Sequence, residues 1–271
     1  MNILFWNINR KNPVNCLQEL LAENSVDFLV LAEYPYNIED LCQHVNTTLR
    51  TQYKAIPNIS GSSIQGLINY KYDVKLLTED SHHRLIIIST TDYELIAAMV
   101  HARSKQQTTP ATQRIGLSII YNDIANHENE LNCKNTIAIG DFNVSPFEDI
   151  YVSASGMHAI PFPDAVQKEN RVILGQSYQK FFNPTRRLLG KNNAPYSTYY
   201  YNNSGEDCNY YWYMFDQVII RPTLMNAFDE ESLKIITGTS NYSLLTKNNT
   251  PDKTLYSDHL PLFCRLKEDL I

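Results

Sequence analysis

Thr136-Ile137-Ala138-Ile139 is an unbroken β-branched and apolar run, followed at once by Gly140-Asp141-Phe142-Asn143. A run this short and apolar reads as a buried strand that Gly140 ends. Asp141 and Asn143, two apart on extended backbone, then point to the same side. A carboxylate that can take a proton stands beside an amide that both donates and accepts, and such a pair can hold and activate one water molecule. A polar strand end entering a turn would look the same, so the weight lies in repetition. Asn7 follows Ile3–Trp6, Glu33 follows Val26–Ala32, and His101 follows Leu95–Val100. Asp216 stands at the start of Phe215–Ile220, and Asp258-His259 precede Leu262–Leu266.

Helical patterns alternate with these strands. Asn12-Pro13 reads as an N-cap with proline at the first helical position, ahead of Val14, Leu17, Leu20 and Leu21 at helical spacing. Asn37 caps a second amphipathic stretch carrying Ile38, Leu41, Cys42, Val45 and Leu49 inward, and Thr109-Pro110 opens a third that reaches about Glu130. Between them lie Gly66–Tyr70, Val74–Leu77, Leu85–Ser89 and Leu95–Val100. Turns at Gly61-Ser62-Ser63, Glu79-Asp80-Ser81 and Thr91-Asp92 make these antiparallel hairpins. A short helix is expected within Phe147–Ser155 and a short strand at Leu233–Thr237. The Asn-, Tyr-, Gly- and Pro-rich stretch from Pro161 to Tyr213 reads as long loops with short strands. No repeat or linker interrupts the chain, so residues 1–271 are expected to form a single domain.

With 43% hydrophobic residues, the chain can bury a large core. A net charge of −6 argues against a general polyanion clamp but allows a phosphate substrate whose charge a metal offsets locally. Five dispersed cysteines, without CxxC spacing, suit reduced thiols in a cytoplasm. Met1 leads directly into a strand, so no signal peptide is expected, and no apolar run approaches the ~20 residues that cross a bilayer.

The polar strand ends suit phosphoester hydrolysis. Asn and Glu at neighbouring strand ends offer hard oxygen ligands for Mg²⁺ or Mn²⁺. An Asp–Asn pair can position the attacking water, and two histidines can donate to charge building on phosphate oxygens. At Trp6-Asn7-Ile8-Asn9, Glu33, Val100-His101, Gly140-Asp141-Phe142-Asn143, Phe215-Asp216-Gln217-Val218-Ile219 and Ser257-Asp258-His259-Leu260-Pro261, the chain resembles the endonuclease/exonuclease/phosphatase superfamily, which includes DNase I-like nucleases. The motifs come in the family's order and span nearly the whole chain.

The resemblance implies an α/β fold, a four-layer α/β/β/α sandwich of two mixed sheets with helices outside and the active site at one edge. It also implies metal binding by Glu33, with Asn7 and Asp258 at the same site. Asp141 would orient or deprotonate the water, and Asn143 would hold that water and a phosphate oxygen. His259, kept charged by Asp216, would bind the scissile phosphate, with His101 on its other side. The family commonly places a basic residue shortly before the fifth-motif Asp and a Tyr after it. Here Met214-Phe215 and Gln217 stand instead, and no acidic partner for His101 is evident near Gln65 or Asn69.

Tyr199-Tyr200-Tyr201 and Tyr210-Tyr211-Trp212-Tyr213 could stack on bases, with Tyr199 and Tyr211 the candidates, although burial in the core is the favoured reading. Arg186, Arg187 and Lys191 are candidate backbone contacts. His44, His82, His83, His127 and His158 read as surface residues. The function expected is a Mg²⁺-dependent phosphodiesterase, a nuclease with nucleic acid as its partner and no membrane anchor. The alternatives are a phosphatase or phospholipase-like enzyme on a phosphorylated lipid or small molecule, and a catalytically silent binding module.

Overall fold

The computed structural model describes residues 1–58, 62–106, 108–190, 192–202, 205 and 207–271. Gly61 and Lys191, named above, lie outside them. The chain opens with β1 (Asn2–Asn7), α1 (Val14–Glu23), β2 (Phe28–Ala32), α2 (Ile38–Leu49), β3 (Tyr53–Ala55) and β4 (Ile64–Asn69). Next come β5 (Asp73–Glu79), β6 (His83–Ser89), β7 (Glu94–His101), α3 (Pro110–Glu130), β8 (Thr136–Asp141) and α4 (Asp149–Val152). Shorter pieces follow: β9 (Ala159–Ile160), α5 (Pro163–Val166), the ribbon β10 (Asn170–Ile173) and β11 (Gln176–Gln179), and β12 (Phe181–Phe182). A second ribbon, β13 (Tyr199–Tyr200) with β14 (Trp212–Tyr213), precedes β15 (Asp216–Ile220), β16 (Lys234–Ile235) and β17 (Leu262–Arg265).

Two mixed sheets result. One runs β16-β17-β1-β2-β4-β3, and the other β5-β6-β7-β8-β15-β12-β9. Successive residues of a strand face opposite layers. Ile137 and Ile139 of β8, with Ala97 and Met99 of β7, join the core shared with the first sheet and with α1 and α2. Ala138, Ala98 and Val100 turn outward under Leu117, Ile120 and Ile124 of α3. The layers are therefore helices, sheet, sheet, helices, as the resemblance implied.

The helix signals held unevenly. The Asn37 side chain accepts from Glu39 N–H, and Thr109 caps α3 by accepting from Thr112 N–H with Pro110 behind it. Asn12 does not cap α1, because its Oδ1 accepts from the Tyr34 hydroxyl at 3.1 Å instead, and the helix begins at Val14. The strand containing Gly140 runs on to Asp141, so that glycine does not end it. Its role is close approach: a Cβ there would stand 1.9 Å from the Val100 carbonyl oxygen of β7. Cys16, Cys42, Cys133 and Cys264 are buried thiols, and Cys208 is exposed. No helix among the described residues is long and apolar enough to cross a membrane.

Gly140→Ala should destabilise the protein by about 3 kcal/mol, because overpacked strands must move apart. Urea unfolding checks this, and a variant within experimental error of wild type would mean that β7 and β8 do not need that contact.

Candidate active site

Strand register sets the site. In the second sheet His101 lies opposite Asp141 across the parallel β7–β8 pair, and Asp216 lies opposite Asp141 across the antiparallel β8–β15 pair. In the first sheet Asn7 stands opposite Ala32, the residue before Glu33. The strand ends of both sheets open on one cleft of about 460 Å³ that Asn7, Glu33, His101, Asp141, Asn143, Asp258 and His259 all line. Backbone strain gathers here: Asn9, Glu33 and Asn143 hold φ of 45°, 55° and 53°. Left-handed φ at a residue other than glycine costs on the order of 1–3 kcal/mol and is kept where the surroundings fix it.

His259 is the most constrained side chain. Its Nδ1–H donates to the Asp216 carboxylate, 2.8 and 3.1 Å from the two oxygens, and its Nε2 lies 3.8 Å from Asp141 Oδ2. The main chain around it is tied down as well. Trp6 Nε1–H donates to the His259 carbonyl, and His259 N–H donates to Ser257 Oγ, which donates in turn to the Asn7 carbonyl. Burial alone would pull the imidazole pKa down. The Asp216 carboxylate beside it, with Asp141 and Asp258 farther off, outweighs burial and lifts it to about 10. His259 is thus an imidazolium at neutral pH. Tyr199 lies against its ring, with centroids 4.6 Å apart.

Asp141 is buried and is held from two sides. Asn7 Nδ2–H donates to Oδ2 at 3.0 Å, and the Asn143 N–H donates to Oδ1 at 2.8 Å. Burial raises its pKa above the ordinary carboxylate value, and the neighbouring Asp216 charge adds to this against the pull of His259. Asp141 and Asn143 meet through a left-handed bend at Asn143, not through extended alternation. Asn143 spends one amide hydrogen on the Ala102 carbonyl at 2.9 Å. Gln113 of α3 donates to both the Asn143 and Arg103 carbonyls, which clamps the loop from outside. Nothing local marks Gln113, because a glutamine inside a helix is usually solvated.

His101 does have partners. Its Nδ1 lies 3.3 Å from Ser63 Oγ, and its Nε2 lies 3.5 Å from Glu33 Oε1. Ser63 immediately precedes β4, where a lone serine in a turn carries no signal. His82, half-buried, approaches the His101 carbonyl through Nδ1 at 3.3 Å. His83 and His158 are buried, against the surface reading. His83 sits between Asp80 and Asp123, at 3.0 and 2.9 Å, and His158 Nδ1 meets the Gln179 carbonyl.

Asp141, Asp216 and His259 form the one group among the described residues with metal-ligand closeness, their donor atoms all within 4.8 Å of one another. His259 Nδ1 is already committed to Asp216 at 2.8 Å. The group is an ion pair, His259 with Asp216, set beside the Asp141 carboxylate. A divalent ion suits Glu33, Asn7 and Asp258 better. All three offer hard oxygens to the same cleft, and the nearest basic nitrogens to the Glu33 carboxylate are 3.5 and 3.7 Å away.

The aromatic segment is not core. Tyr199, Tyr201, Tyr213 and the buried Phe215 form one wall of the cleft, with Tyr199 and Tyr201 nearly parallel at 11° and 6.4 Å apart. Tyr200 and Trp212 pack against each other, and Tyr211 is exposed outside the lining. Lys105, which the sequence also hid, lines the cleft with Nζ 5.6 Å from the Phe215 ring centre, while paired to Glu148. A cation thus reaches the fifth motif from the β7–α3 loop although Met214 and Gln217 offer none. Gln217 is a buried brace, donating to the Val144 carbonyl and accepting from Asn183. Arg186 and Arg187 are not brought to the cleft. Arg186 packs over Phe162, and Arg187 pairs with Glu231.

No protein-family model matches the chain, and no curated protein matches it. Among solved structures, truncated TDP2 of Caenorhabditis elegans is similar at 13% identity and a TM-score of 0.60, covering 98% of this chain and 96% of that one. The 3' phosphatase NExo from Neisseria, bound to a product DNA hairpin, has 14% identity, a TM-score of 0.58 and coverage of 98% and 99%. TDP2 of D. rerio, complexed with a single-strand DNA product, has 15% identity, a TM-score of 0.56 and coverage of 97% of each chain. The chain has the DNase I-like sandwich fold of these structures.

The folded pKa of His259 lies above its unfolded value near 6.5, so the stability from the Asp216 pair is complete below that pH and fades as pH rises through about 10. NMR of the ring should show no titration between pH 6 and 9. In Asp216→Asn the strongest counter-charge is gone while burial remains, so the imidazole should titrate at a clearly lower pH than in wild type. Titration at the same pH in both proteins would mean that Asp216 does not hold the charge.

Proposed function

We propose that the chain is a Mg²⁺- or Mn²⁺-dependent phosphodiesterase that hydrolyses nucleic acid. The observation that carries this reading is the charged His259, fixed by Asp216 and set beside Asp141 in a cleft that also holds the Glu33, Asn7 and Asp258 oxygens. Asp141 takes a proton from the attacking water while Asn7 and the Asn143 N–H hold its carboxylate still. His259 Nε2–H and His101 donate to the phosphate oxygens as charge builds on them. Glu33, Asn7 and Asp258 would hold the ion, which supplies Lewis-acid stabilisation of phosphate charge when bound. The aromatic wall favours bases over the lipid or small-ester alternatives, since every base offers a face to stack. The DNA products recorded for NExo and D. rerio TDP2, at this fold, support the same substrate class.

Two outcomes follow. EDTA should abolish hydrolysis and Mg²⁺ restore it, and Mg²⁺ or Mn²⁺ should raise the thermal midpoint of wild type but not of Glu33→Ala; activity in chelator would end the metal role. Asp141→Asn should lower kcat by ~10²–10⁴-fold with substrate binding kept. His259→Ala with Asp216→Asn should lose far less than the product of the single losses, because they act as one unit. Near-normal turnover in Asp141→Asn would remove the water-activating role.

A further inference from the structure

The cleft does not stop at His101. A second cavity of about 570 Å³ lies beyond it and shares Glu33, His101 and Ser104 with the first. The two halves differ in chemistry. The first is walled by Tyr199, Tyr201, Tyr213 and Phe215, whereas the second carries Arg10 and Arg103, with Glu33 at the shared rim as its one carboxylate among the described residues. Arg10 is 82% exposed and touches Glu33 only at 3.7 Å, so its guanidinium is nearly free to take another anion. Arg103 makes itself felt on His82, whose pKa is lowered by burial first and by the Arg103 charge next. His82 Nε2 is buried with no hydrogen-bond partner among the described residues. At the far side, the fully buried Arg84 donates to Asn58 Oδ1 at 2.7 Å and so fixes the Asn58 amide in the cavity lining.

We propose that this second cavity is a subsite for the phosphate next to the scissile one, with Arg103 and Arg10 as its cations. The proposal rests on the nucleic-acid reading above and adds a direction to it. A strand threaded past His101 places the reacting phosphate against His259 and its neighbour among the arginines, and a base on the reacting side meets the aromatic wall. Phosphate contacts of this kind fix register without reading sequence. The substrate is then a chain with at least one phosphate beyond the reacting one.

The test uses oligonucleotides of one sequence in which a single phosphate on either side of the cut is replaced by a neutral methylphosphonate. In wild type, neutralising the flanking phosphate on one side should lower kcat/KM about tenfold, the effect of one charge-assisted contact, and neutralising the other side much less. In Arg103→Met that penalty should shrink to about twofold, with Arg10→Met showing the same coupling. Both arginines are on the surface, and circular dichroism with thermal melts confirms folding. Oligonucleotide binding by Asp141→Asn should also lose about one unit of log–log salt slope when Arg103 is removed. Penalties that are equal on both sides, or unchanged in the arginine variants, overturn the subsite and leave the nuclease reading standing. Hydrolysis of bis(p-nitrophenyl) phosphate with no oligonucleotide cut overturns both.

Discussion

A protonated imidazole largely withdrawn from water persists only beside its counter-charge, since desolvating an unpaired ion costs several kcal/mol. That requirement governs the site, because His259 and Asp216 come from opposite ends of its scaffold. Asp216 opens β15 in the second sheet, while His259 is lashed to the end of β1 in the first through Trp6, Ser257 and Asn7. The ion pair is therefore a seam between the sheets at the edge that carries the cleft. Asp141 sits inside the seam and acquires from it both burial and a neighbouring positive charge.

What could be read from the residues is what local chemistry decides. Thr136–Ile139 is β-branched and apolar whatever surrounds it, and Asn37 or Thr109-Pro110 stop backbone N–H groups from going unpaired at helix starts. The positions of Asn7, Glu33, His101, Asp141, Asp216 and His259 were legible because each sits at or near a strand end. What was hidden depends on partners far away in sequence. His83 is buried because Asp80 and Asp123 flank it, and Asn12 serves Tyr34 instead of a helix start. Lys105, Ser63 and Gln113 carry no local mark, and tertiary packing alone gives them a place at the site. The aromatic segment was misjudged for a related reason. Alternation separates the faces of a strand, but a two-stranded ribbon beside a cleft leaves neither face fully covered.

Charge is also distributed against the total. The net −6 makes the molecule as a whole repel polyanions at distances within the Debye length, roughly 8–10 Å at physiological salt. Arg10, Arg103 and Lys105 stand around the cleft, so attraction is local and begins only after approach. Such a surface disfavours non-specific sliding and rewards a substrate that reaches into the groove.

The side-by-side placement of His101, Asp141 and Asp216 on β7, β8 and β15 has a consequence for refolding. Side chains alternate faces along a strand, so a slip of β15 by one residue would bring Phe215 or Gln217 opposite Asp141 and turn the carboxylate away. The same slip would push Val218 and Ile220 out of the shared core. A register error at β15 therefore cannot leave the site assembled, so the pairing of His259 with Asp216 reports on correctly paired chains alone.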